Sequence, residues 1–334
     1  MSAMRVMRRT PRRAASESNG RDGGLALEVV AVWLLFVVVA TEIFVTYARL
    51  PAYELYHVSG SGFAAGASRA LVFLNFPTAL VAIAILALLA ERLRGRLPAA
   101  AAGLGIVLCA AVFWPGVVAQ SDLDAKAVNA IAACGVLVTA ALTVIVAFTL
   151  RRPPRLRRRS GDRFRVAIAA IAIMLALPWL AADLGFSFGG VPVLGTLYQT
   201  NELRSQPRVV GLHPAVHHGH HHGMDGVLLI LTALLLSRVV PLVQRRWLRG
   251  ALGAYLALMF CYSVGNVAND FWLEQVVKRG WTRWEIPDVT QPKATVAWGI
   301  IVLGTVAICA GWTSRARNAR AKAWHRIGVY SGPK

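Results

Sequence analysis

The fold class predicted by this sequence is an all-α integral membrane protein, a bundle of about eight transmembrane helices. Three observations carry that expectation. Of the 334 residues, 56% are hydrophobic and only 16% are charged, with a mean hydropathy of +0.54; so little polar side chain cannot clothe a soluble globule. Several uncharged apolar runs approach the ~20 residues that a helix needs to cross a hydrocarbon core. The basic residues, which give a net charge of +20, fall in short blocks between those runs. That pattern belongs to membrane orientation and contact with anionic lipid, and it excludes a nucleic-acid groove.

Taken in order, residues 1–24 are a basic tail containing Ser and Gly, read as disordered. The apolar run 25–47 has no small-residue cleavage site after it, so it reads as a retained first span and not as a signal peptide. Further spans are expected at 69–90, 99–119, 127–150, 166–184, 224–243, 251–271 and 294–312, giving a membrane domain over 25–312. Residues 313–334 form a second basic tail. Cys109, Cys134, Cys261 and Cys309 all lie inside apolar runs with no CxxC pair, and read as small buried hydrophobes. The two halves show no strong repeat, so an inverted-repeat transporter is not indicated.

Eight spans put both termini on one side. The tails and the loops on that side hold 27 of the 36 Lys/Arg; the other nine are Arg49, Arg69, Lys126, Arg204, Arg208, Lys278, Arg279, Arg283 and Lys293. Basic residues favour the cytoplasmic side, so both termini are expected there, in the cell membrane. The segment 213–222 then lies outside.

That segment is the chemically distinctive stretch. Residues 213–225 read HPAVHHGHHHGMD, with six of the eight histidines in ten positions. Pro214 suits the first turn of a helix. A helix running from there into the sixth span would be about 30 residues, or roughly 45 Å, and would lift its first turns out of the ~30 Å core. On it His217, His221 and Asp225 share one stripe, and His218 with His222 another, rotated by about 100°. Gly219, Gly223 and Gly226 form a small-residue stripe for close helix contact.

Two imidazoles and a carboxylate on one face match the donor content of a 2-His-1-carboxylate metal site. The HExxH signature of zinc peptidases fails because the intervening residues are His218, Gly219 and His220. The histidine boxes of membrane desaturases are several and cytoplasmic, unlike this single outer cluster. The plain alternative is a flexible Gly/His loop that titrates or binds metal loosely.

Ionisable groups inside spans cost roughly 2.5–3.5 kcal/mol each on insertion scales, so they mark function or an internal partner. Glu42, Asp183, Asp225, Asn266 and Asp270 are all expected at the outer ends of their spans, with Thr46, Asn75, Ser263 and Asn269 nearby. Ser263, Asn266 and Asp270 fall on one stripe that should face the bundle. No comparable polar set is expected at the inner ends, where Glu28 and Glu91 mark only the boundary. The plain readings are an interfacial ion pair of Glu42 or Asp183 with Arg49 or Arg69, and asparagines that only bridge helices. Trp281 and Trp284, in the last outer loop, read as part of an aromatic belt, or as a lid over the polar layer.

These features predict a metal-binding membrane protein. His213, His217, His221, Asp225 and Asp183 are the candidate ligands of a divalent ion, with zinc first and iron or copper as alternatives. Asp225 and Asp270 are the candidate catalytic bases, and Glu42 and Asn266 line the polar cavity. Three functions are compatible: a metal-dependent enzyme acting on a membrane-associated substrate, a metal-ion or proton transporter, and a non-catalytic assembly or sensor protein. Anionic lipid is the expected partner of the basic loops.

Overall fold

A computed structural model describes residues 26–49, 58–93, 95–114, 117, 124–149, 156, 161–183, 192–193, 203–205, 212–214, 221–277, 280–287, 289 and 294–328. Eight long helices dominate them: α1 (Leu27–Arg49), α2 (Gly62–Ala90), α3 (Arg96–Ala110), α4 (Asn129–Thr149), α5 (Asp162–Asp183), α6 (His221–Val239), α7 (Arg246–Trp272) and α8 (Val296–Gly328). Single tight turns extend α3 over Ala111–Phe113 and α6 over Val240–Leu242, and a wide π-turn, Leu273–Val277, extends α7. Two three-residue strands, β1 (Leu203–Ser205) and β2 (Leu212–Pro214), pair antiparallel ahead of α6.

Six helical stretches are long and apolar enough to cross a membrane: Leu27–Arg49, Arg96–Phe113, Asn129–Thr149, Gly223–Leu242, Arg246–Val277 and Val296–Ser314. The bent α2 makes a seventh if its two arms form one span. Its 45° bend falls between Val72 and Asn75, just ahead of Pro77. Proline there lacks the N–H that would bond one turn back, and its ring crowds the preceding carbonyl. α8, at 33 residues, is about 50 Å long at 1.5 Å per residue and outruns a ~30 Å core.

Burial follows helical period. On α1 the buried residues run Val29, Val32, Phe36, Val39, Glu42, Ile43, Thr46 and Tyr47, a single stripe, while Leu34, Val37 and Val38 are exposed apolar side chains of the kind that face lipid. The stripe packs on α2 and α6; α2 also meets α3, α4 and α7, and α6 packs on α5 and α7. Leu229 and Leu236 of α6 are wholly buried, at the centre of the bundle, whereas α8 touches α7 and leaves Ile300, Leu303 and Val306 exposed. Small residues permit the closest approaches. A Cβ on Gly226 would stand 2.9 Å from the Ser263 carbonyl oxygen, and one on Gly66 would stand 2.6 Å from that of Phe44. Of the expected glycine stripe on α6, Gly223 and Gly226 are buried and Gly219 lies outside the described residues. Cys109 is buried as expected, but Cys134 is exposed on α4, facing outward.

Two groups of contacts define the two ends of the bundle. At one end Arg238 (α6) bridges Glu28 (α1) at 3.2 Å and Asp162 (α5) at 3.5 Å, Arg165 meets Asp162 at 3.2 Å, and the Arg165 Nε–H donates to Ser237 Oγ at 3.0 Å. Glu91, after α2, accepts the backbone N–H groups of Gln244 at 2.6 Å and Arg245 at 2.7 Å. This corrects the expectation that the end carrying Glu28 and Glu91 lacks a polar set: Arg238, placed by the sequence in the last turn of an apolar span, collects carboxylates from two other helices. At the opposite end, the backbone N–H of Ser59 donates to Asp124 and that of Ala125 to Ser68 Oγ, tying the starts of α2 and α4.

Two boundary expectations are also corrected. No helix runs from Pro214: Leu212–Pro214 is β2, with Pro214 opposite Leu203 at the end of the ladder, where its missing N–H costs no bond. The described helix begins at His221. And α2 begins at Gly62, not at residue 69, which carries Arg69 two turns into the helix.

Candidate functional site

The end of the bundle away from Glu91 gathers polar side chains from four helices. From α1 come Glu42 and Thr46, both buried, with the Thr46 hydroxyl donating to Glu42 Oε1 at 3.2 Å. One residue on, the Tyr47 ring lies under the Arg69 guanidinium, 5.4 Å from its centroid to Cζ, a cation–π contact that strengthens as water is excluded. Arg69 is only 5% exposed. An arginine so deep tolerates its position through the ring below it and the charge of Asp225.

Asp225 enters from α6, one turn after His221. Its Oδ1 is enclosed and has no hydrogen-bond partner among the described residues, while the positive charge of Arg69 acts on it from α2. α7 contributes the expected stripe: Ser263, Asn266 and Asp270 are all buried. Gln275, in the π-turn that follows, is buried as well; such turns re-aim side chains that a regular helix would point elsewhere. Asn75, beside the bend in α2, donates to the Asn129 carbonyl at 2.8 Å. It serves as a bridge between helices, the plain reading for a membrane asparagine.

Over this layer the segment 280–289 folds back on α7. Asn269 Nδ2 donates to the Ile286 carbonyl at 2.6 Å, Trp272 Nε1 donates to that of Trp284 at 2.9 Å, and the two indoles meet edge to face at 5.2 Å. Val289 is buried while Trp281 and Trp284 stay exposed. The tryptophans thus point outward as a belt does, while the backbone between them is fastened to the end of α7.

Of the residues chosen from sequence, the fold brings Glu42, Asp225, Asn266 and Asp270 into one layer. Apart from Asp225, the candidate metal ligands have side chains outside the described residues. His213 sits on β2 opposite Arg204, His221 opens α6 and Asp183 closes α5, without a described side chain in any of the three. His217, His218 and His220 lie outside the described residues, and among the described residues no group of three His, Cys, Asp or Glu is placed to hold a metal ion. Sequence reasoning missed Arg69 and Gln275 as members. For Arg69 a signal was present: the stretch before it, Phe63 to Ala67, has no polar side chain and so can continue the helix back beyond the charge.

An all-helical chain with six or seven membrane-length apolar helices and an ionisable layer buried at one end has the features of a multi-pass membrane protein. Compared with protein-family models, with curated proteins and with solved structures, the chain matches none.

Proposed function

We propose that the chain crosses the cell membrane eight times, with both termini cytoplasmic, and that its outer face carries a metal site built by the histidine segment over the buried polar layer. Eight crossings count the bent α2 and the 22-residue α5 as one span each. Every contact between helix ends agrees with alternation: the starts of α1, α5 and α7 meet the ends of α2 and α6, and the start of α2 meets that of α4. The basic blocks flank the Glu91 end, which the positive-inside rule assigns to the cytoplasm.

The observation that carries the functional reading is Asp225. Its enclosed, unbonded oxygen stands one helical turn from His221 and shares a layer with Arg69, Glu42 and Asp270. Imidazoles of His213, His217 and His221 with the carboxylates of Asp225 and Asp183 form a nitrogen and oxygen donor set that fits zinc, and also iron or copper. A bound ion there would supply a Lewis acid and a water of lowered pKa. Asp270, or Asp225 when not a ligand, would serve as the base beside that ion. Arg69 holds a fixed positive charge for an anionic substrate group, Asn266 orients it, and the buried Leu229 floor excludes bulk water. Because the layer stands at the outer ends of the spans, at headgroup depth, the substrate is membrane-associated.

Metal analysis of the purified chain tests this. One tightly held ion per chain, lost in Asp225→Asn and His221→Ala, is expected; loose multiple occupancy that both variants retain would leave a sensor or assembly protein as the reading. A transport reading has its own support in the Glu28, Asp162, Arg165 and Arg238 group at the far end of α6. Between that group and Asp225, however, the interior stripe of α6 offers only Thr232 among fully buried leucines, which disfavours an ion path.

A further inference from the structure

At the Glu91 end, the last turn of α2, the turn after it, and the link from α6 to α7 enclose a cleft of about 390 Å³. Its floor is apolar: Leu88, Leu93, Leu242 and Val243. Its charged lining is Glu91, Arg92 and Arg245. Glu91 is committed, since each of its two oxygens accepts a backbone N–H of the α6–α7 link. Its charge still acts on the Arg92 guanidinium, and the lining carries two guanidiniums against one carboxylate. Neither flanking loop, 91–98 or 244–250, contains another acidic residue, and Arg96, Arg246 and Arg249 add to the same sign.

Two further features fix the depth and the character of this cleft. It lies where α2 and α6 end, so that its apolar lining, with Leu93 and Leu242 half-buried, sits at the end of the bundle while its rim reaches the headgroup level. Trp247, beside it, is an exposed indole of the kind that anchors at that level. Arg92 is half-buried, and burial pushes its guanidinium down from its ordinary value against the opposing effect of Glu91. A cation so placed gains from an anion that shares its partly dehydrated site.

We infer that this cleft binds an anionic phospholipid, with the phosphate between Arg92 and Arg245 and the first part of an acyl chain along Leu93 and Leu242. A soluble anion would use the arginines but not the apolar floor. A zwitterionic lipid would use the floor but carries a cation that the arginines repel. Basic recesses between transmembrane helices take anionic headgroups for the same reasons, and guanidinium forks match phosphate oxygens. This site is separate from the metal reading and does not depend on it.

The test uses the full chain in detergent, titrated with phosphatidylglycerol or phosphatidylcholine and read by native mass spectrometry. The wild type should prefer phosphatidylglycerol by about thirtyfold, the ratio that two basic contacts to an anionic headgroup confer. The double variant Arg92→Gln/Arg245→Gln should lose that preference, and Arg92→Lys/Arg245→Lys should keep part of it. Arg315→Gln/Arg317→Gln, which removes the same charge elsewhere, should keep it in full. Leu242→Trp, which fills the cleft and leaves both arginines, should lose it, and serves if the arginine variants do not fold. The inference is overturned if the glutamine double variant or Leu242→Trp discriminates as wild type does, if Arg315→Gln/Arg317→Gln loses as much, or if inorganic phosphate alone displaces the lipid.

Discussion

Replacing Arg238 by Met should expose how the helices are stacked. Arg238 Nη1 lies 3.2 Å from Glu28 Oε1, and Nη2 lies 3.5 Å from Asp162 Oδ2. Unit charges at such separations attract by about 5 kcal/mol at an effective dielectric of 20. Desolvation offsets most of that, and the three side chains are 27%, 10% and 19% exposed, so water screens part of the rest. Breaking a buried pair costs about 3–5 kcal/mol and an exposed one about 0–1; a guanidinium a quarter exposed should fall between, near 2 kcal/mol. Arg165 still holds Asp162 in the variant, so the loss should fall mainly on Glu28. Four proteins, the wild type, Arg238→Met, Glu28→Gln and the double variant, unfolded reversibly in mixed micelles, give a coupling of about 1–2 kcal/mol. Strict additivity would refute the reasoning, because it would mean that the start of α1 and the end of α6 do not meet, and the alternation of spans would fall with it.

Other outcomes follow from single contacts. Gly226→Leu should push α6 from α7, because its Cβ would stand 2.9 Å from the Ser263 carbonyl oxygen and 2.7 Å from Val267 Cγ2; a loss of about 1–3 kcal/mol or more is expected from overpacking, and wild-type unfolding would argue against that contact. His222→Ala should keep the bound metal that Asp225→Asn loses, as read by elemental analysis; equal losses in both would remove Asp225 from its assigned place. A reporter fused after residue 334 should behave as cytoplasmic, and activity of an exported-type reporter there would subtract a span.

The helices were legible because apolar length needs only composition, and the buried stripe of α7 because Ser263, Asn266 and Asp270 recur at helical spacing. What the sequence hid depended on tertiary neighbours. Arg69 reads as an interfacial charge until α2 is seen to begin at Gly62, and its burial rests on Tyr47 from another helix. Arg238 reads as a basic residue closing a span, the commonest arrangement in any membrane protein, until Glu28 and Asp162 arrive from elsewhere in the chain. Pro214 misled for a local reason. Proline is favoured both at the start of a helix and at the end of an edge strand, and pairing with Leu203, which no local pattern reveals, decides between them.

The contrast between the two ends bears on function. At the Glu91 end, carboxylates and guanidiniums are matched in the contacts themselves: Glu28 and Asp162 against Arg165 and Arg238, with Glu91 spent on backbone N–H groups. Such matching fastens helices and leaves these carboxylates no charge for a cation to balance. At the other end Asp225 Oδ1 is enclosed with no hydrogen-bond partner among the described residues, and the Arg69 charge acts on its carboxylate. In a low-dielectric interior an unbonded carboxylate oxygen is costly unless a proton or a cation balances it. The helix α6 opens at His221 at that end and not at the matched one. On the proposed metal reading, Asp225→Asn, which removes one negative charge while keeping the shape, should weaken metal retention without weakening the fold. A variant that holds its metal but unfolds readily would assign Asp225 to the scaffold, as the partner of Arg69.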